Sequence, residues 1–271
     1  MGSDRGAGAA MTSKTRIEWH FGNRVARVVL AAPKSNILDR VMIDELDAIF
    51  LALQSERELC AIVIASDGPH FSFGASVEEH LPNQIAAALK RLSNLLRKIG
   101  SAPAPTIAAV RGRCLGGAFE LALACDLIVA EDNAQLGVPE IRLGVFPPAA
   151  SALLPVRIGA SAAALLTLTG RSWSGSEAKQ KGLVARLAAD GSLDDHVDAW
   201  LESDFLPSSP AALRHATRAI RQPVTRALED DLPELDRLYL QELMREPDAV
   251  EGIRAFLEKR QPRWSRDAVS K

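Results

Sequence analysis

Short runs that are apolar on both faces, set between helical repeats, constrain this chain more than any other feature. VARVVL at 25–30, AIVIA at 61–65, TIAAV at 106–110 and LIVA at 127–130 are continuous rather than alternating. Strands of that kind are buried on both sides. After Asp39, a capping residue, Ile43, Leu46, Ile49, Phe50 and Leu53 recur at helical spacing. Ile85, Leu89, Leu92 and Leu96 repeat the pattern behind Pro82, which is expected to open that helix. The alternation predicts an α/β fold with a covered sheet.

Other segments complete the outline. Arg16–Phe21 and Val25–Leu30 around Gly22–Asn23 predict a β-hairpin. Residues 134–138 read as one more short extended piece, PEIRLGVFPP as a rigid loop, and helices resume near Ala149. From Leu193 the pattern is mostly helical and punctuated by prolines. The expected division is a disordered tail at 1–13, a core at 14–192 and a helical region at 193–271.

Composition narrows function by exclusion. A formal net charge of −2 gives no global field for nucleic acid or an anionic membrane. No apolar run reaches the length of a transmembrane helix. Cys60, Cys114 and Cys125 sit among apolar neighbours, as buried free thiols do in a reducing compartment. The opening MGSDRGAGAAM has no apolar signal core. A cytoplasmic protein is the expectation.

Two glycine segments each follow a strand. Gly116–Gly117 opens the helix of GRCLGGAFELALACD, and Gly74–Ala75 lies in FSFGAS. Unpaired amides at a helix start suit an oxyanion or phosphate, and glycine lets a ligand come close. A tight turn with close helix packing explains the same pair. No GxxxxGK[ST] or strand-borne GxGxxG is present, so neither a nucleoside triphosphate nor a dinucleotide is indicated. Two amides converging on one oxygen would form an oxyanion hole.

Glu120 stands in the first turn of an apolar helix, where it is costly to bury, and Glu140 follows Pro139 in a loop. Each has an ordinary reading, as a helix cap or as a partner of a nearby arginine such as Arg142. If the fold brings them together, two carboxylates can divide base and acid work. The histidines His20, His70, His80, His196 and His215 show no metal-binding spacing and read as loop or surface residues, with His70, beside FSFGAS, the most notable. No G-x-S-x-G elbow is present.

Taken together, AAPKSNILD at 31–39, HFSFGAS at 70–76, AAVRGRCLGGAFELALACD at 108–126, AQLGVPEIRLGVFP at 134–147 and AFLEKRQPRW at 255–264 closely resemble the crotonase, or enoyl-CoA hydratase/isomerase, superfamily. The resemblance runs from about residue 16 to 264. It implies a crotonase-like α/β spiral of ββα units with a helical C-terminal region, assembled as homo-trimers or dimers of trimers. It implies an acyl-CoA thioester substrate, with coenzyme A arriving as part of that substrate and no permanently bound cofactor or metal. The amides of Ala75 and Gly117 would form the oxyanion hole, and Glu120 and Glu140 would serve hydration. Lys34 and Lys259 would lie on the CoA side, where residues 251–271 carry six Arg/Lys against three Asp/Glu, a net +3.

Some residues depart from the usual family pattern. Ser76 stands where aspartate is common, and GVFPPAAS at 144–151 replaces a glycine-rich stretch, with Pro148 stiffening it. HFSFGASVEEHLP is similar to hydratases acting on cyclohexa-1,5-diene-1-carbonyl-CoA. That likeness implies a pocket for a flat ring, with Phe71, Phe73, Ser76, Phe146 and Pro148 as its expected walls, although aromatic residues in such loops also serve as plain core. A linear short-chain enoyl-CoA hydratase, an enoyl-CoA isomerase and a non-catalytic acyl-CoA-binding protein are the alternatives.

Overall fold

The computed structural model describes residues 13–32 and 34–265. The expected tail lies almost wholly outside them. The hairpin strands β1 (Thr15–His20) and β2 (Val25–Leu30) pair antiparallel across a turn in which Phe21, Gly22 and Asn23 all have positive φ. Helix α1 (Arg40–Leu53) follows, its N-cap Asp39 accepting from the Met42 N–H at 3.1 Å. Strand β3 (Ala61–Ser66), helix α2 (Ile85–Gly100) and strand β4 (Thr106–Val110) continue the alternation. Pro82 lies in the turn before α2 rather than at its first position.

Next come β5 (Arg113–Leu115), α3 (Gly117–Ala124), β6 (Leu127–Glu131) and β7 (Gln135–Gly137). The stretch read as a rigid loop contains a 3-10 turn, Pro139–Leu143, ending on Gly144 in the left-handed region. Then follow α4 (Pro148–Ile158), α5 (Ala160–Thr169), β8 (Ser172–Ser174), α6 (Gly175–Gln180) and β9 (Arg186–Ala188). The remaining named elements are helical: α7 (Leu193–Trp200), α8 (Pro210–Ile220), α9 (Gln222–Arg226), α10 (Leu232–Gln241) and α11 (Pro247–Leu257).

Six strands form one sheet in the order β1-β2-β3-β4-β6-β9, parallel apart from the first pair. A second sheet runs β5-β7-β8. The apolar runs are continuous because alternate residues enter different cores. Val28, Ile64, Ala108 and Ile128 face the core shared with α1, α2 and α3. Val25, Val63, Ile107 and Val129 face another, closed by Leu193, Val197 and Trp200 of α7. Fully burying such side chains is worth about 1.5–3 kcal/mol each. Cys60, Cys114 and Cys125 are free and buried in these cores. Among the described residues, no helix is long and apolar enough to cross a membrane.

Candidate active site

The glycine segments are brought together by a backbone ladder. Phe71 N–H donates to Arg111 O and Ser72 N–H to Arg113 O, while Leu115 N–H returns a bond to Ser72 O. On the other side Leu38 N–H donates to Gly74 O at 2.9 Å. Residues 71–76 are thereby clamped between 36–38 and 111–115. Gly74 has φ +102, and a Cβ there would lie 2.6 Å from Leu115 O. A Cβ on Gly117 would lie 3.3 Å from Ala75 N. The two backbones therefore pass at contact distance, and at Gly74 a side chain would collide with the Leu115 carbonyl.

Two amides are left over from this ladder. Gly116 N–H donates to Gly137 O at 2.9 Å. The N–H groups of Ala75 and Gly117 have no acceptor among the described residues. Gly117 is the first residue of α3, where an amide has no intrahelical partner and the helix dipole adds positive potential. Both residues line a cavity of about 920 Å³.

Glu120 and Glu140 approach this place from different sides. Every residue of α3 is buried, and Glu120 is 4 % exposed. Its Oε1 accepts from the Ala150 N–H of the first turn of α4 at 2.9 Å. Pro148 opens that helix, where its missing N–H costs nothing. Glu140, in the 3-10 turn, reaches back to Gly116, where a Cβ would come within 2.5 Å of Glu140 Oε1. Its Oε2 is buried and has no hydrogen-bond partner among the described residues. Neither glutamate forms an ion pair among the described residues, so Arg142 is not the partner of Glu140.

Both carboxyls are held above the ordinary glutamate range. For Glu120 loss of hydration dominates; the α4 amides of Ala150 and Ala149 pull the other way, and Asp236 adds to the rise. For Glu140 burial is again the main cause, with Glu120 adding repulsion. The two titrate as a pair.

The cavity wall differs from the expected one. Phe73, Ser76, Glu140 and Lys34 line it. Phe71 does not: it is fully buried in the main core, because its backbone ladder turns the ring inward. Phe146 packs on Tyr239 with ring centroids 5.4 Å apart, and Pro148 is buried at the start of α4; neither lies on the wall of this cavity. Glu120 sits behind that wall as well. Lys259 lines a smaller neighbouring cavity with Phe256 and Arg260.

Sequence reasoning gave no place on the main wall to His80, Arg142 or Arg260, which line it. Burial lowers the pKa of His80, whose Nδ1 lies 2.8 Å from Ser76 O. A neutral ring donating there fits both facts. Arg260 is held by Glu251 and Glu258. All three lie within segments that carry the family resemblance, but that they reach this wall is decided only in the fold. His70 packs edge-on to Phe73 at 5.0 Å, and its Nδ1 lies 3.3 Å from Arg113 N. Among the described residues no group of three or more His, Cys, Asp or Glu side chains is placed to hold a metal.

Comparison with known proteins shows the family of the chain. The enoyl-CoA hydratase/isomerase family model matches residues 20–267. A cyclohexa-1,5-dienecarbonyl-CoA hydratase of Thauera aromatica is 45% identical over 239 residues, covering 88% of this chain and 92% of that protein. A probable enoyl-CoA hydratase of Bacillus subtilis is 33% identical, over 89% and 95% of the two chains. A crystal structure of an enoyl-CoA hydratase from Mycobacterium avium superposes with TM-score 0.82 at 29% identity, covering 93% of this chain and 99% of that one. The chain belongs to the enoyl-CoA hydratase/isomerase family.

Proposed function

We propose that this protein adds water to a conjugated acyl-CoA thioester, and that the acyl group is a cyclic diene of the cyclohexa-1,5-diene-1-carbonyl class. The observation that carries the reading is the approach of two unpaired amides, Ala75 and Gly117, beside Gly116, against which the Glu140 carboxyl rests. The 45% identity to the Thauera enzyme favours the cyclic substrate.

Attack of water on the β-carbon pushes electrons toward the thioester oxygen. The amides of Ala75 and Gly117 accept that charge, each such donor contributing about 3–4 kcal/mol to the transition state. Glu140, on the cavity wall, and Glu120, just behind that wall, hold the water between them. One takes its proton as the C–O bond forms, and a proton is returned to carbon at the far end of the conjugated system. Raised carboxyl pKa values suit this division, because one member of the pair can stay protonated near neutrality. Phe73 and Ser76 face the acyl group, and Lys34, with Lys259 at the adjoining cavity, serves the CoA phosphates. The protein works in the cytoplasm as a homo-trimer or dimer of trimers, without a permanently bound cofactor.

A substrate panel tests the reading. Crotonyl-CoA, cyclohexene-carbonyl-CoA and the cyclic dienoyl-CoA are compared by kcat/KM, with products identified by mass and NMR. The cyclic diene is expected to lead. A clear preference for crotonyl-CoA would replace it with the linear hydratase reading, and no hydration of any thioester would remove the hydratase.

A further inference from the structure

The direction of the Ala75 amide is set by its two neighbours in the chain, and one of them is gripped by a side chain. Gly74 is held at both ends. Its N–H donates to Ser72 Oγ at 3.0 Å, and its carbonyl accepts from the Leu38 N–H at 2.9 Å. The backbone holds Ser76 more loosely. Its N–H reaches Leu38 O only at 3.4 Å, and its carbonyl accepts from the Glu79 N–H at 3.2 Å. The shortest bond on Ser76 is to the His80 ring, whose Nδ1 lies 2.8 Å from the carbonyl oxygen.

A carbonyl oxygen can only accept, so Nδ1 carries a proton. The Glu79 amide already satisfies that oxygen, so the ring is not needed to rescue an unpaired group. What it adds is restraint from a second direction. His80 ends a 3-10 turn, Glu78–His80, that is itself anchored. Glu79 Oε1 accepts from the Arg40 N–H at the start of α1 at 2.9 Å, and its Oε2 lies 3.8 Å from the Arg91 guanidinium of α2. The ring therefore ties Ser76 to a turn fastened on two helices. Ala75, Ser76 and His80 all line the main cavity, so the grip is applied at the wall that receives the thioester.

We propose that His80 is a positioning residue of the oxyanion hole: its Nδ1–H holds the Ser76 carbonyl and so fixes the direction of the adjacent Ala75 N–H toward the thioester oxygen. This rests on the hydratase reading. The ring acts through the backbone and exchanges no proton with the substrate.

The side-chain amide of asparagine can donate from the place of Nδ1, whereas that of glutamine falls at the place of Nε2. His80→Leu, His80→Asn and His80→Gln are compared with wild type by kcat, KM and Tm. The hydrogen bonding of the thioester is read from the infrared stretch of bound cyclohexanecarbonyl-CoA carrying ¹³C at the carbonyl, a saturated thioester that cannot be hydrated. In wild type the stretch should lie below its value in water. His80→Leu and His80→Gln should lose about half of that shift, one of two donors being misdirected, and kcat should fall about tenfold with KM within about twofold. His80→Asn should restore the shift and most of kcat. An unmoved stretch in both His80→Leu and His80→Gln overturns the proposal whatever kcat does, and a lowered Tm beside it marks the bond as a structural one of the turn. A shift lost equally in His80→Asn also overturns it, since the Nδ1 donor would then not be what matters. Should His80→Leu fail to fold, His80→Gln against His80→Asn decides alone. If wild type hydrates no thioester the hydratase reading fails separately, and the stretch still decides whether His80 aims the amide; a wild-type stretch equal to that in water removes the oxyanion hole and this proposal together.

Discussion

The Glu140 carboxyl rests against Gly116, so close that a Cβ on the glycine would stand 2.5 Å from Oε1. Gly116 also has φ +53 with ψ −130, outside the left-handed helical well and in a region that glycine alone enters readily. Gly116→Ala therefore strains the backbone and displaces the carboxyl. A displacement of an ångström at a reacting group can cost about 100-fold in rate. We expect kcat to fall by that order while KM changes little and the protein still folds. Steady-state kinetics with a melting curve checks this, and a fully active alanine variant would separate Glu140 from the chemistry.

Glu120→Gln and Glu140→Gln are expected to reduce hydration by about 10²–10⁴-fold, the range of general acid–base catalysis. Acyl-CoA binding, measured by calorimetry, should remain largely intact. Normal turnover in either variant would reject its proposed role.

The same carboxyls make a prediction about stability. Their pKa values are raised by folding, so the folded state binds protons more tightly than the unfolded chain. Below the unfolded glutamate pKa of about 4.3 their contribution is fully present, and it is lost as pH rises through the folded values. Asp39 and Asp67, lowered mainly through bonds to Lys14 and Arg16 against the cost of burial, act in the opposite direction and favour the fold above the ordinary aspartate range. The Glu140→Gln variant isolates the first effect. Its Tm relative to wild type should be higher at about pH 8 than at about pH 5. A difference that stays flat or reverses would mean the carboxyl is not held protonated by the fold.

What could be read in advance was what short-range chemistry determines. Continuous apolar runs identify strands covered on both faces, and Asp39 before a helical repeat identifies a cap. The glycines stood out because a turn that crowds the backbone leaves few other residues possible. The cavity was much less legible. Its wall is assembled from residues near 34–39, 73–80, 115–117, 139–143 and 252–262, and no local pattern says which of their side chains turn inward. Phe71 and Phe73 show the difficulty. They are two residues apart in one loop, yet one enters the core and the other the cavity mouth, according to a ladder formed with residues far along the chain.

Arg221 ties the C-terminal helices to the sheet. It and Asp126 are each 6 % exposed at the side chain and joined at 2.6 Å, and the guanidinium also donates to the carbonyls of Ala102 and Ala104. Asp126 in turn accepts from the Thr106 N–H at the start of β4. Removing one partner leaves the other buried and unpaired, which costs about 3–5 kcal/mol. Arg221→Met should lower stability by that amount in denaturant melts. Pairing it with Asp126→Asn should recover part of the loss, because the stranded charge is gone. A surface-like loss below about 1 kcal/mol would show that the pair is hydrated in solution.

Lys34 stands on the cavity wall with φ +102, beside the segment carrying the Asp39 cap. If it meets the CoA phosphates, its charge acts in binding and hardly in the chemical step. Lys34→Ala should then raise KM several-fold, about 1 kcal/mol of binding, with kcat nearly unchanged. The defect should shrink as salt is added, since screening weakens the same attraction in the wild type. It should vanish with a pantetheine thioester that lacks the nucleotide phosphates. A fall in kcat at saturating substrate, equal for both thioesters, would move Lys34 from the nucleotide to the acyl end of the site.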